Sequence, residues 1–148
     1  MSGQVSIFLR QDQVIVIPQA GGGGFSYDIE PSLIVAPDPE QVEQAISEAL
    51  RTSRESQDTV PPPPARGSAA PVLKKLGLRS YKAFYRGASH CYLYEDQDGN
   101  LVMLKFQPAN DGGGFNVAGS PPETIEYRSG IGSFVLDYLT HAPKMPAE

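Results

Sequence analysis

The clearest fold signal is residues 5–18, VSIFLRQDQVIVIP. Two segments rich in β-branched and other apolar residues, Val5–Arg10 and Val14–Pro18, flank the polar residues 11–13 and predict a β-hairpin. Because Val14–Ile17 is apolar on both faces, we expect the second strand to lie centrally in a sheet.

The rest of the first half predicts two more strands and a helix. The glycines at 21–24 predict a loop, the alternation over 25–30 predicts a half-buried strand, and residues 33–36 predict a short strand. Asp38 can cap a helix that has Pro39 at its first position. The apolar stripe of this helix is Val42, Ala45, Ile46, Ala49 and Leu50.

Residues 52–71 predict a proline-rich connection within the domain. Four consecutive prolines, at 61–64, favour an extended, stiff spacer. The alternative is that this run is a ligand for domains that bind proline-rich segments.

The second half predicts a similar set of elements. Ser80 can cap a short helix that ends near Arg86. Segments 91–95 and 101–106 flank Asp98-Gly99 and predict a hairpin, with short strands at 115–117 and 124–127. A closing helix has the apolar stripe Ile131, Phe134, Val135, Tyr138 and Leu139.

Both halves therefore run in the order hairpin, glycine run, two short strands and amphipathic helix. We interpret this order as an internal repeat with a basic segment inserted between its halves; the alternative is that the glycine runs are coincidental loops. Either interpretation predicts an α+β fold, an antiparallel sheet with packed helices. The length of 148 residues matches a single domain, 1–148.

The charge of the chain is unevenly distributed. The net charge is −5, with −6 over residues 1–58, +6 over 59–94 and −5 over 95–148. The lone Cys91 favours a reducing compartment. We find no signal-peptide pattern, and apolar runs such as Val14–Ile17 are far shorter than the ~20 residues that cross a bilayer. These features predict a cytoplasmic protein without membrane association.

No residue cluster predicts catalysis, a metal site or a cofactor. The glycines at 21–24 lead into a strand and lack the lysine of a phosphate-binding loop. His90 and Cys91 are neighbours on one predicted strand, so their side chains point to opposite faces. Asp137 and His141 have helical spacing but supply too few ligands for a metal. We expect a protein that is not an enzyme.

Five acidic residues are our candidates for contact with a partner. Asp28 and Glu30 lie ~6.6 Å apart on one predicted strand, a spacing that also occurs in paired-carboxylate glycosidases. The absence of tryptophan disfavours a sugar site. Glu95, Asp96 and Asp98 belong to the second hairpin, where charges are displayed without being needed for the core.

A basic stretch with interleaved aromatic residues is typical of nucleic-acid contact. It comprises Lys74, Lys75, Arg79, Lys82 and Arg86, together with Tyr81, Phe84 and Tyr85. The remaining segments carry −11 together, and the aromatic residues fall at core positions of the predicted helix. We therefore do not expect nucleic acid as a partner.

Residues 2–18, the segment Tyr27-Asp28-Ile29-Glu30-Pro31 and residues 72–87 resemble bacterial immunity proteins of contact-dependent growth inhibition systems. The resemblance implies a small, acidic, cytosolic α+β domain that binds and neutralises the toxic C-terminal domain of a delivered effector, often a basic nuclease. The proline-rich connection and the basic middle depart from that pattern, and no site residue is transferred. A cytosolic adaptor or chaperone for another basic protein, and an enzyme of unrecognised type, are the alternatives.

Overall fold

The computed structural model describes residues 2–22, 25–56, 71–110, 114–119, 121–125 and 128–146. The glycines at 23–24 and 112–113 and most of the proline-rich connection, residues 57–70, lie outside the described residues. The described elements, in chain order, are β1 (Gln4–Arg10), β2 (Gln13–Gly22), β3 (Phe25–Asp28), β4 (Leu33–Val35), α1 (Pro39–Glu55), α2 (Pro71–Leu76), α3 (Tyr81–Tyr85), β5 (Ser89–Glu95), β6 (Leu101–Pro108), β7 (Phe115–Val117), β8 (Glu123–Ile125) and α4 (Ile131–His141).

The strands form one antiparallel sheet in the order β3-β2-β1-β5-β6-β7. Strand β2 pairs with β1 along one edge and with β3 and β4 along the other. Strand β6 pairs with β5 along one edge and with β7 and β8 along the other. The sheet is joined at its centre by β1 and β5, with Gln4 opposite Tyr94. The predicted α+β class is confirmed, and β2 is a central strand as expected.

The pairing pattern of the first half recurs in the second. In each half a hairpin carries two short strands on the outer edge of its second strand, and a helix follows. This recurrence supports the internal repeat that the order of sequence patterns predicts. Helices α2 and α3 lie between these two sets of elements along the chain.

Helices α1 and α4 cover one face of the sheet. All five predicted stripe residues of α1 are buried in a core with β1, β2, β5, β6 and α4. The predicted cap is confirmed, because Asp38 Oδ2 accepts a hydrogen bond from Gln41 N at 3.1 Å. In α4, Ile131, Val135 and Leu139 are buried. Phe134, which is predicted on the same apolar stripe, is 38% exposed and lies outside the core, contrary to the prediction.

Helices α2 and α3 cover part of the other face. Val72, Leu73 and Phe84 pack there against the β1 and β2 side chains Phe8 and Ile17 in a second apolar cluster. Ser80 caps α3 as predicted, since its Oγ accepts from Ala83 N at 3.1 Å.

Several predicted boundaries differ from the structure. Helix α1 continues to Glu55, and α2 begins at Pro71, so both ends of the predicted connection 52–71 are helical. Gly21 and Gly22 extend β2 instead of forming a loop. Strand β3 ends at Asp28, so Glu30 lies beyond the strand, next to a cis peptide bond before Pro31.

Among the helices that the structure describes, none combines the length and the apolar character needed to cross a membrane.

Candidate functional site

A polar row crosses four strands on the sheet face that α2 and α3 partly cover. Tyr94 of β5 is opposite Gln4 of β1, Gln4 is opposite Gln19 of β2, and Gln19 is opposite Asp28 of β3. Directly opposed residues of antiparallel strands share a face. At ~4.8 Å between neighbouring strands, Tyr94 and Asp28 are about 14 Å apart.

Hydrogen bonds fix the side chains of this row. The Tyr92 hydroxyl is bonded to Gln4 Oε1, and Gln19 Nε2 donates to Asp28 Oδ1. Ser53 at the end of α1 ties the row to the helix, because its Oγ accepts from Gln4 N at 2.8 Å and donates to the Gln19 carbonyl. The first two strands and α1 thus hold Asp28 in a defined position.

Asp28 combines exposure with a partly desolvated carboxyl group. The residue is exposed, yet its carboxyl group interacts with Gln19 and with the Tyr81 hydroxyl. Burial raises the pKa of Asp28, the hydrogen bonds from Gln19 and Tyr81 oppose this rise, and the charge of Glu30 adds to it. No lysine or arginine of the described chain forms an ion pair with Asp28.

Glu30 is compensated within the chain. Its Oε2 lies 3.2 Å from Lys75 Nζ, and the same Nζ donates to the Ser32 carbonyl at 2.7 Å. Both charged side chains are roughly half exposed, so this pair is worth little stability. It nevertheless shows that one member of the basic stretch contacts the protein's own acidic surface.

Glu95 is the most buried of the five acidic candidates, with 8% exposure. It accepts hydrogen bonds from Arg54 at 2.9 Å, from Arg128 at 2.5 Å and from Gly3 N at 2.7 Å. Burial alone would raise its pKa, but these donors outweigh burial and hold the pKa of Glu95 below its usual value. The residue joins β5 to α1 and to the segment before α4.

Asp96 and Asp98 form the tip of the second hairpin. Asp96 Oδ1 accepts from Asp98 N and Asn100 N, both at 2.9 Å, while Gly99 takes a φ of 81°. Asp98 is exposed. Because Tyr94 and Asp28 share one row, this tip and Asp28 lie towards the same end of the sheet, on different strands.

The structure supports no catalytic pair around His90 and Cys91. Cys91 is buried in the core beneath α1 and α4, whereas His90 stacks on Phe8 on the other face. Burial also raises the pKa of the Cys91 thiol far above neutrality. Asp137 and His141 interact on the surface of α4, and no group of three potential metal ligands occurs among the described residues.

The neutral residues of the polar row and of the Asp28 site have no sequence signal of their own. Gln4, Gln19 and Tyr81 contribute because of strand register and because α3 folds back onto the sheet. The alternation of Tyr92 and Tyr94 predicts that they share a face, but nothing local predicts that this face continues across to Asp28.

Comparison with known proteins supports the fold assignment. No family model and no curated protein matches the sequence. One chain of the CdiA-CT/CdiI toxin and immunity complex from Yersinia pseudotuberculosis has a similar structure, with a TM-score of 0.67 and 13% identity over 97% of this chain and 98% of that chain. A Neisseria meningitidis protein of unknown function also has a TM-score of 0.67, with 12% identity over 96% of both chains. At these identities the likeness is one of fold.

Proposed function

We propose that this protein is an immunity protein that binds and neutralises the toxic C-terminal domain of a contact-dependent growth inhibition effector in the bacterial cytoplasm. The observation that carries this proposal is the fold shared, over nearly the whole of both chains, with a chain of a toxin and immunity complex. The resemblance of residues 2–18, 27–31 and 72–87 to the same class of proteins supports it.

The acidic surface suits the role of binding a basic protein domain. We propose Asp28 at the end of β3, Glu30 just after this strand, and Asp96 and Asp98 at the hairpin tip as the charged contacts. Complementary charge accelerates the encounter of two proteins, and buried aromatic residues then supply most of the affinity. We propose that Glu95 supports this surface from within the fold, because its carboxylate forms ion pairs with Arg54 and Arg128.

The test is co-expression with the toxic C-terminal domain of the effector that we expect to be encoded beside this protein. We expect the protein to restore growth of cells that produce this toxin domain, and the two chains to purify together without turnover of any substrate. A toxin domain from an unrelated system is the matched control, and growth should not recover with it. Growth and co-purification are measured in the same cells.

Absence of both protection and co-purification would contradict the proposal. Co-purification without protection would instead favour the alternative function, an adaptor or chaperone that binds a basic protein.

A further inference from the structure

We propose that Asp28 is the anchor of the partner interface and that it receives the guanidinium or ammonium group of an arginine or lysine side chain on the bound protein. This inference rests on the proposed function and specifies the chemistry of its contact.

Several acidic side chains that pack against the fold have a cation beside them. Glu30 has Lys75 at 3.2 Å, Glu95 has Arg54 and Arg128, and Glu123 has Lys105 at 3.3 Å. Asp28, in contrast, is held by neutral groups in the described part of the chain, namely the Gln19 amide and the Tyr81 hydroxyl. The neighbouring charge that acts on it is the negative charge of Glu30.

The fold does not require a charge at position 28. An asparagine carbonyl would accept the same hydrogen bonds from Gln19 and Tyr81. A carboxylate that burial desolvates without a counter-charge destabilises the folded state. Among the described residues no cation compensates this charge, and the hydrogen bonds from Gln19 and Tyr81 offset the effect of burial only in part, so a cation from a partner would relieve the remaining electrostatic cost.

The carboxylate of Asp28 lies beside aromatic side chains. Tyr81 is 40% exposed, and its ring centroid lies 5.8 Å from that of Tyr85. Burial and the charge of Asp28 raise the pKa of Tyr81 to about 12. The hydroxyl therefore stays protonated at physiological pH, where it donates a hydrogen bond and its ring offers an aromatic surface. A carboxylate beside tyrosine rings suits a guanidinium group, which forms an ion pair and packs on aromatic faces.

The experiment compares Asp28→Asn with the parent protein in complex with the neighbouring toxin domain. We expect the melting temperature of the variant to be unchanged or higher, because the variant lacks a desolvated charge that has no cation partner among the described residues. The dissociation constant should rise roughly 30-fold or more, mainly through faster dissociation, as for the loss of one partner of a buried charge pair. Glu48→Gln is the control: it removes the same charge from an exposed position on α1, over the opposite face, and should leave the affinity within about threefold.

Two outcomes of this experiment would overturn the inference. If Asp28→Asn binds as tightly as the parent, Asp28 is no anchor. If the variant melts at a clearly lower temperature, the carboxylate has a structural role instead.

A second measurement needs no toxin and separates this inference from the proposed function. N-acetyl-arginine amide should shift the NMR signals of Asp28 and Tyr81 in the parent protein but not in Asp28→Asn, and the neutral citrulline counterpart should shift neither. If the toxin domain fails to bind while the arginine amide still gives these shifts, the proposed function fails and the cation site stands. Equal shifts with citrulline, or none with arginine, would refute the cation site.

Discussion

His90 lies between two phenylalanine rings on the sheet face that α2 and α3 partly cover. Its ring centroid is 4.0 Å from that of Phe8 and 4.4 Å from that of Phe106, and both contacts are stacked. Neither ring nitrogen has a hydrogen-bond partner within the described residues. Burial lowers the pKa of His90 to about 3, so the imidazole is neutral at physiological pH and serves as an aromatic ring.

This environment predicts loss of stability in mild acid. Between the ordinary pKa of 6.5 and the folded-state value of about 3, the unfolded chain binds the additional proton. The free energy of unfolding should therefore fall as the pH drops below 6.5, by up to about 1.4 kcal/mol per pH unit from this residue. Replacing His90 with phenylalanine should remove this dependence and keep the stacking.

Urea denaturation at several pH values between 7 and 5 measures the effect. Glu95, whose pKa is lowered, loses its stabilising contribution only below its ordinary value of 4.5 and does not interfere in this range. His141→Gln is the matched control because it removes the other histidine of the chain from an exposed position, where 75% of the side chain is accessible. An unchanged pH dependence in His90→Phe would show that His90 is not responsible.

At the scale of elements, the contact between α1 and α4 depends on a glycine. A Cβ atom at Gly132 would lie 2.1 Å from the Pro39 carbonyl oxygen and 2.8 Å from Glu43 Cβ. Gly130, the cap residue of α4, offers no side-chain cap, and Glu43 Oε1 instead accepts from Gly132 N at 3.2 Å. The beginning of α4 is therefore fitted against the first turns of α1.

Replacing Gly132 with alanine should force the two helices apart. The obstacle is backbone, which cannot rotate away, so we expect a loss of about 2–3 kcal/mol despite the better helix propensity of alanine. Ser133→Ala, at the next and exposed position of α4, should change stability by at most about 0.5 kcal/mol. Denaturant unfolding of both variants measures the free energy of unfolding. If Gly132→Ala is as stable as Ser133→Ala, the contact between α1 and α4 does not depend on Gly132.

The elements that the sequence predicts well are those whose signals are local. Asp38 and Pro39 begin α1, and Asp98-Gly99 joins β5 to β6, because a cap or a turn needs only neighbouring residues. The sequence does not predict helix α2, because this helix is a single short segment after a proline run. Its apolar residues, Val72 and Leu73, are buried against β strands that are far away in sequence.

At the scale of the whole molecule, the candidate site is predictable only in part. The sequence identifies Asp28 as a charge on a strand, but its importance here comes from the register that places it in one row with Gln19, Gln4 and Tyr94. Glu95 is predicted as a charge displayed on the hairpin, but it is buried and paired with two arginines, one from α1 and one from the segment before α4. Long-range pairings of this kind leave no local pattern.

The fold also decides what the basic stretch presents to solvent. Lys74, Arg79, Lys82 and Arg86 are exposed on and beside α2 and α3. Phe84 is 1% exposed and unavailable for stacking on a base, whereas Tyr81, which the sequence predicts at a core position, is 40% exposed. Asp28 and Glu30 lie against the same two helices and repel phosphate. Four phosphate contacts would give a slope of about −3 to −4 in a plot of the logarithm of the binding constant against the logarithm of the salt concentration. Any binding would therefore weaken steeply as salt is added.

We therefore expect no measurable binding of nucleic acid at physiological ionic strength. Fluorescence anisotropy of labelled tRNA and of single-stranded DNA, titrated with the protein over a series of salt concentrations, measures this. The variant in which Lys82 and Arg86 are both replaced by glutamate is the control, because it reverses two exposed charges without touching the core. Tight, salt-sensitive binding by the parent that disappears in this variant would contradict the expectation, since the exposed cations would then outweigh the acidic residues beside them. Nucleic acid would in that case become a partner in its own right.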